Sequence, residues 1–303
     1  MVHTHTHGGD CCNHQGDDRH EHDDHGHHEK NHDFHIIELS PFPILTATAL
    51  FISALGLILS LHGIHHASRL LELGVVSIVF CIFTWWRKVI NEGIKEHAHT
   101  AVVQRGLRLG MALFIASEVM FFFAFFLSYF RSFFSVIFFH NQVFDLDTLS
   151  FLPQTLPWPP AGVKTFNPFD LPFLNTLILL LSGTTVTWAH HALLHNDRRN
   201  VIRGLAFTVC LGIMFTCCQA FEYSHAAFAL DTNNYSSNFF MATGFHGFHV
   251  IVGTIFLSVN LVRAIRGTLT PQGHLGFEFA AWYWHFVDVV WLFLFVCIYW
   301  WGK

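Results

Sequence analysis

The sequence predicts an all-α membrane protein with seven transmembrane helices. Of its 303 residues, 52% are hydrophobic and only 12% are charged, whereas a soluble domain averages roughly 25% charged residues. Long apolar runs also recur along the chain, and about 20 apolar residues in a helix are enough to cross a bilayer. These runs predict spans at about 43–61, 70–86, 109–130, 173–194, 201–221, 239–262 and 280–301.

The first 35 residues form a polar, low-complexity tail that we expect to be disordered, because it has too little apolar surface to build a core. Eleven of these residues are His, and acidic residues outnumber basic ones by eight to two. Cys11, Cys12 and the His run could bind Zn²⁺ or Cu²⁺. No spacing matches a closed site, so a solvated tail with incidental metal affinity is the preferred interpretation. Residues 36–303 form the predicted membrane domain.

Pro41 and Pro43 interrupt regular structure, and the first predicted span begins there. The third apolar run is longer than one crossing needs, since it stays apolar to Phe139 although Arg131 interrupts it. Two interpretations remain open. Either this helix projects out of the membrane, or residues 132–139 lie in the interface.

The last predicted span, Phe277–Trp301, combines aromatic ends with three ionisable residues, Glu278, His285 and Asp288. An Asp near a helix centre in lipid costs about 2.5–3.5 kcal/mol on insertion scales, so these groups are expected to face protein. Trp284, Asp288 and Trp291 share one helical face, and His285 lies close enough along the helix to reach Asp288. The pattern indicates a helix packed inside a membrane assembly.

The distribution of Lys and Arg predicts the topology, because cytoplasmic loops carry an excess of both. The N-terminal side would hold ten of these residues: Arg87, Lys88, Lys95, Arg105, Arg108, Arg198, Arg199, Arg203, Arg263 and Arg266. The opposite side would hold four: Arg69, Arg131, Lys164 and Lys303. The N-terminus is therefore expected in the cytoplasm or the mitochondrial matrix. The Pro-rich loop 140–172 would form an external cap or a partner surface. No basic stripe points to nucleic acid.

Glu118 lies about a third to halfway along the third span, among apolar neighbours. An intramembrane carboxyl group is a functional-site hypothesis by default, and removal from water disfavours its charged form. Two interpretations remain open: a proton-handling group, or a protonated acid that hydrogen-bonds between helices.

The other polar residues of the spans favour helix packing. Glu222 lies near an interface at the end of the fifth span, and a structural role is preferred. His residues cluster at the end of the fourth span and early in the sixth: His190, His191, His195, His246 and His249. Pairs on one face can bind metal, but no known ligand spacing is reproduced. We expect hydrogen-bonding and packing roles for Glu222, His246, His249, His285 and Asp288, and no metal site in this chain.

Seven segments together resemble subunit III of the haem–copper cytochrome c oxidases, over about residues 32–303. They are WWRKVINEG (85–93), GLRLGMALFIASEVMFF (106–122), WPP (158–160), LNTLILLLSGTTVTWAHHALL (174–194), QAFEYSHAAF (219–228), FFMATGFHGFHVIVGTIF (239–256) and GFEFAAWYWHFVDVVWLFLFVCIYWWG (276–302). The close similarity of WAHHALL and ATGFHGFHVI is to the cytochrome c branch rather than the quinol branch. The His-rich residues 1–31 depart from the short leader usual in this family.

The resemblance implies a bundle in which the first two helices are split from the other five by a V-shaped cleft that holds phospholipid. It implies that the subunit carries no haem and no copper, which belong to partner subunits, and that it packs with oxidase subunits I and II near the entry of a proton pathway. The complex would take electrons from cytochrome c to O₂ and pump protons. Glu118 aligns with the family's intramembrane carboxylate at the cleft. The family's lipid head-group regions correspond to Arg87, Glu92, Arg263 and His274.

Two functions of different classes are therefore open for this chain. The first is a non-redox subunit of a terminal oxidase that supports proton uptake and holds phospholipid, in a bacterial plasma membrane or a mitochondrial inner membrane. The second is a stand-alone transporter or channel that uses Glu118 as its proton site. The sequence shows no inverted repeat and no pair of broken helices, which are typical of transporters. The first function is preferred.

Overall fold

The computed structural model describes residues 34, 39–95, 99–137, 141–145, 150–154, 159–160 and 163–302. The predicted tail, with Cys11 and Cys12, lies outside the described residues apart from Phe34. Within these described residues, seven helices are long and apolar enough to cross a membrane, which confirms the predicted fold class. They are α1 (Phe42–Leu61), α2 (Ala67–Lys95), α3 (Ala101–Ile137), α4 (Leu171–Leu194), α5 (Arg198–Ser224), α6 (Asn234–Ile265) and α7 (Leu275–Leu294), which continues as a π-helical segment, Phe295–Trp300.

Several helices are longer than the hydropathy pattern predicted, and α3 differs most. Its 37 residues correspond to about 55 Å of helix, against a bilayer core of roughly 30 Å. The helix runs without a break through Arg131, so the extra apolar residues prolong the helix itself. Hydropathy marks only the part of a helix that matches the bilayer, and it does not detect a helix that continues into polar surroundings.

The connection between α3 and α4 contains a short antiparallel strand pair that the sequence did not predict. Strand β1 (Asn141–Asp145) pairs with β2 (Ser150–Gln154). Nearer α4, the ring of Phe166 packs against Phe228 and Phe239, with ring centroids 5.6 and 5.7 Å apart. This part of the connection is therefore anchored on the α5–α6 turn and the start of α6.

Helices α1 and α2 pack closely against each other at two glycines. A Cβ atom on Gly56 would collide with the backbone nitrogen of Leu71, and one on Gly74 would lie 2.6 Å from the Cα atom of Ser53. Small residues at a contact let transmembrane helices approach this closely. Among the described residues, the extensive helix contacts of α1 are with α2, and those of α3 to α7 are with one another.

Helix α7 is the most buried span and contacts α3, α4 and α6. Trp284 and Trp291 are fully buried, and their indole Nε1 atoms each donate a 2.9 Å hydrogen bond to α4, to Ser182 Oγ and Thr176 Oγ1 respectively. Asp288 is buried on the same face. The face that carries Trp284, Asp288 and Trp291 is thus the one that faces the protein. His285 was also expected to face protein, but it lies on the exposed side of the helix.

Candidate functional site

The carboxyl group of Glu118 on α3 contacts the imidazole of His249 on α6. Glu118 Oε2 and His249 Nε2 lie 2.9 Å apart, and the side chains are 21% and 9% exposed. The two residues are separated by 131 positions in the chain, so the contact joins two distant helices. The structure therefore places Glu118 between helices at a partly open position.

The hydrogen bonds of His249 fix how many protons the pair holds. Its Nδ1 atom lies 2.7 Å from the backbone oxygen of Phe245, and a carbonyl oxygen only accepts, so Nδ1 carries a hydrogen. One further hydrogen must then lie between Nε2 and Glu118 Oε2. Either a neutral acid donates to a neutral imidazole, or an imidazolium donates to a carboxylate. Both arrangements are neutral overall, which suits a site between membrane helices.

Aromatic rings surround the imidazole of His249. The ring centroids of Phe122 and Tyr283 lie 5.0 and 6.2 Å from it, and that of Phe121 lies 6.1 Å away. These rings limit access of water to the imidazole, whereas the carboxyl group keeps more of its exposure. The geometry suits a group that exchanges a proton with its surroundings from the Glu118 side.

Arg108 on α3 and Glu278 on α7 form a two-point ion pair. Arg108 Nε and Nη2 donate to Glu278 Oε1 and Oε2, both at 3.0 Å. Bidentate pairs of this kind are the strong form of the arginine–carboxylate interaction. The pair ties the long helix α3 to the start of α7.

His246 and Glu222 lie inside the α3–α7 group of helices. His246 is fully buried, and its Nε2 atom donates to the backbone oxygen of Val287 at 3.1 Å, which links α6 to α7. Glu222 is 2% exposed, and its carboxyl group faces the buried hydroxyl of Tyr299. This contact joins the end of α5 to the π-helical segment that follows α7.

His285 and Asp288 lie beside Gly183 of α4. A Cβ atom at Gly183 would be 2.9 Å from Asp288 Oδ2 and 3.7 Å from His285 Nδ1. His285 Nε2 contacts Thr187 Oγ1 at 3.2 Å. The two predicted packing residues therefore both pack against α4 at Gly183, which has no side chain to exclude them.

Asp288→Leu is expected to lower the amount of assembled complex, because the larger apolar side chain meets α4 where even a Cβ on Gly183 would be crowded. Overpacking of this kind typically costs about 1–3 kcal/mol. Asp288→Asn keeps the size and is the matched control. Quantitative immunoblotting of purified membranes measures both, and equal levels of the two variants would contradict the expectation.

The four predicted lipid-contacting residues fall into two groups. On α2, Arg87 is exposed. Glu92 Oε1 lies 3.8 Å from Lys88 Nζ, one helical turn away. Glu92 also lines a cavity of about 480 Å³ with Phe34 and residues of α3.

The second group lies at the turn between α6 and α7. Arg263 has a buried Nε atom with no hydrogen-bond partner in the described residues, and its Nη1 lies beside Gly276. His274 precedes α7 directly, and its ring lies 5.8 Å from that of His190. Both groups lie at helix ends, and the predicted topology places these ends on the same side of the membrane as the N-terminus.

Within the part of the chain that the structure describes, no group of three or more His, Cys, Asp and Glu is arranged to hold a metal ion.

Comparison with known proteins identifies the family. The family model for cytochrome c oxidase subunit III matches residues 32–303. The chain belongs to the cytochrome c oxidase subunit III family. It is 53% identical over 276 residues to the probable cytochrome c oxidase subunit 3 of Rickettsia felis, covering 90% of this chain and 97% of that protein.

Relatives from eukaryotes are nearly as similar to this subunit III chain. The cytochrome c oxidase subunit 3 of Chondrus crispus is 49% identical over 273 residues, covering 90% of this chain and 95% of the relative. That of Arabidopsis thaliana is 47% identical, with 90% and 98% covered. Together with the seven apolar helices, these matches establish an integral membrane protein of a respiratory membrane and a subunit of an oxidoreductase complex.

Sequence reasoning missed the partners of two residues in this subunit III chain. It singled out Glu118 but assigned His249 to helix packing, although an acid within a membrane needs a partner and His249 was an available one. It placed Glu278 in the last helix without its partner Arg108, which lies 170 positions away. A search for opposite charges at similar depth in different spans would have found this pair.

Proposed function

We propose that this chain is the non-redox subunit III of its oxidase, and that it stabilises the catalytic subunit I, supports proton uptake and holds phospholipid. The Glu118–His249 contact carries this proposal. It is a partly exposed pair in a membrane span that shares one hydrogen between two groups. Moving the shared hydrogen between Glu118 Oε2 and His249 Nε2 keeps the pair neutral overall. A proton taken up or released through Glu118 changes the net charge of the pair by one, and it does so at the more exposed of the two side chains, where water can stabilise that charge.

Phospholipid would occupy a cleft between α1–α2 and the other five helices. The proposal is supported by the close packing of α1 on α2 and by the separate packing of α3 to α7. Arg87 and Glu92 at the end of α2, with Arg263 and His274 at the α6–α7 turn, would contact the head groups. Basic side chains at membrane interfaces attract lipid phosphates.

The remaining assignments follow from the same proposal. The partners would be oxidase subunits I and II, with haem and copper in those partners and cytochrome c as electron donor to the complex. The N-terminus would lie on the cytoplasmic or matrix side, where the excess of Lys and Arg is expected. The complex would then transfer electrons to O₂ and pump protons.

Glu118→Gln is expected to leave assembly and initial turnover within about twofold of the unchanged protein, because an amide can donate to His249 Nε2 and replace a protonated acid. Loss of activity during repeated turnover is expected to be faster, because the amide cannot exchange the shared proton. Oxygen consumption by the purified complex, followed from the first turnovers to inactivation, measures both. Loss of the assembled complex, or an unchanged rate of inactivation, would contradict the proposal.

The association itself is tested by mild-detergent purification through an affinity tag at the C-terminus. Co-purification of haem and copper, absent once the chain is separated from its partners, is the expected result. A colourless, metal-free chain that stays folded alone would contradict the oxidase assignment and favour the transporter.

A further inference from the structure

Helix α7 presents one narrow face to the outside of the bundle. His285, Val289 and Phe293 are exposed on it and recur every four residues, so they lie along one side of the helix. Thr187 of α4 borders this face through its contact with His285, and Phe126 of α3 borders it with a ring centroid 6.2 Å from that of Phe293. We call this surface the α7 groove.

The groove lies between two helices that do not cover it. Both α3 and α4 pack on α7, and in the described part of the chain they make no extensive contacts with each other. Val289 and Phe293 are 50% and 59% exposed, although most of α7 is buried. The exposed face is therefore a strip of an otherwise internal helix.

The depth of His285 makes this strip unusual for a lipid-facing surface. His285 lies ten residues after Leu275, about 15 Å along a span of roughly 39 Å. Ionisable side chains at such depth almost always face protein or a water-filled cavity. If the strip faced lipid alone, Thr187 Oγ1 at His285 Nε2 would satisfy only one of the two ring nitrogens.

The hydrogen bonds of His285 define what kind of neighbour it needs. The hydroxyl of Thr187 donates to the backbone oxygen of Gly183 at 2.9 Å, so it accepts from His285 Nε2–H. In the neutral ring, Nδ1 is then an acceptor, and within the described residues it has no hydrogen-bond partner. The carboxyl group of Asp288 lies beside it at Gly183. The middle of the groove thus offers one hydrogen-bond acceptor, His285 Nδ1.

The outward faces of α5 and α6 provide the contrast. Phe207 and Ile213 of α5 are 57% and 52% exposed, and Phe248 and Ile255 of α6 are 60% and 59% exposed. These side chains offer no hydrogen-bonding group, and lipid satisfies them fully.

We propose that the α7 groove is the docking surface for a transmembrane helix of a neighbouring oxidase subunit, one that places a hydrogen-bond donor at the depth of His285. The inference rests on the proposed function, since it names the surface through which the chain joins its complex. Small or hydroxyl-bearing residues on that helix would allow the close approach and the hydrogen bond typical of membrane interfaces.

Photo-crosslinking of the intact complex tests the surface directly. A benzophenone amino acid is introduced singly at Val289 or Phe293 in the groove, and at Ile213 or Ile255 as matched exposed controls. After irradiation, the groove positions are expected to give an adduct with another oxidase subunit, and the control positions are not. Adducts from the controls alone, or an adduct with a second copy of this chain from the groove, would overturn the proposal.

The same experiment separates this inference from the proposed function. If no oxidase subunit co-purifies with the unchanged chain, the proposed function fails. If the complex co-purifies normally but the groove positions give no subunit adduct, only the docking surface is refuted.

A substitution provides a second readout that does not depend on crosslinking. His285→Leu is expected to weaken retention of this chain in the complex by roughly three- to twentyfold, the range for one hydrogen bond between membrane helices. His285→Asn keeps an acceptor close to the position of Nδ1 and is expected to retain the chain. Retention is measured during stepwise detergent washing, and equal retention of both variants would overturn the proposal.

Discussion

We expect Trp284→Ala to prevent this chain from accumulating as a stable subunit. Trp284 is fully buried at the centre of α7, and its Nε1 atom donates to Ser182 Oγ of α4 at 2.9 Å. Its ring also fills the space left by two glycines, since a Cβ on Gly212 or Gly253 would lie 2.8 or 2.9 Å from it. The substitution leaves a cavity where α4, α5, α6 and α7 meet. Such changes typically cost about 3–5 kcal/mol in protein cores.

Trp301→Ala is the matched control, because Trp301 follows the same helix but is 59% exposed. The amount of chain in purified membranes and its thermal unfolding in detergent measure both variants. Ser182→Ala keeps the Trp284 ring, removes the acceptor for its Nε1–H and the bond from Ser182 Oγ to the backbone oxygen of Leu179, and is expected to cost on the order of 1 kcal/mol. A Trp284→Ala chain as stable as the control would show that α7 is not the structural centre of the bundle.

The central position of α7 was predictable because the residues that indicate it all lie within one segment of the sequence. Tryptophans and an acid at helical spacing in one apolar run identify a face that must meet protein. The exact ends of α2 and α3 were not predictable from hydropathy, because helix continues beyond the residues that match the bilayer. The contact of α1 with α2 at Gly56 and Gly74 depends on the shapes of both helix surfaces. The sequence of one helix does not show which other helix it packs against.

The candidate site likewise contains residues that could be predicted from the sequence and residues that could not. Glu118 was predictable because a single carboxyl group in an apolar run is costly wherever the helix lies. Its partner His249 was not, since their contact depends on the relative rotation of α3 and α6. The depth of His285 was likewise visible in the sequence, whereas its outward position in the isolated chain was not.

We expect His249→Leu to damage the complex more than Glu118→Gln. The leucine leaves the Glu118 carboxyl group without the imidazole 2.9 Å away, and stranding a largely buried polar group typically costs about 1–3 kcal/mol. It also replaces a planar ring between Phe122 and Tyr283 with a branched side chain. His249→Gln retains an acceptor for the protonated acid and is the matched control. Yield of assembled oxidase and resistance to inactivation during turnover are the measurements.

A double-mutant cycle decides whether the two residues act as a unit. If they share one proton, Glu118→Leu combined with His249→Leu is expected to cost much less than the sum of the single substitutions, because the double variant strands neither group. The non-additive part then measures the contact itself. Strict additivity would mean that each residue contributes independently, and the shared-proton arrangement would no longer explain how this pair supports proton uptake. A coupling that disappears when Glu118→Gln replaces Glu118→Leu in the cycle would instead assign the interaction to the hydrogen bond, which the amide retains, and a coupling that persists would assign it to the exchangeable proton.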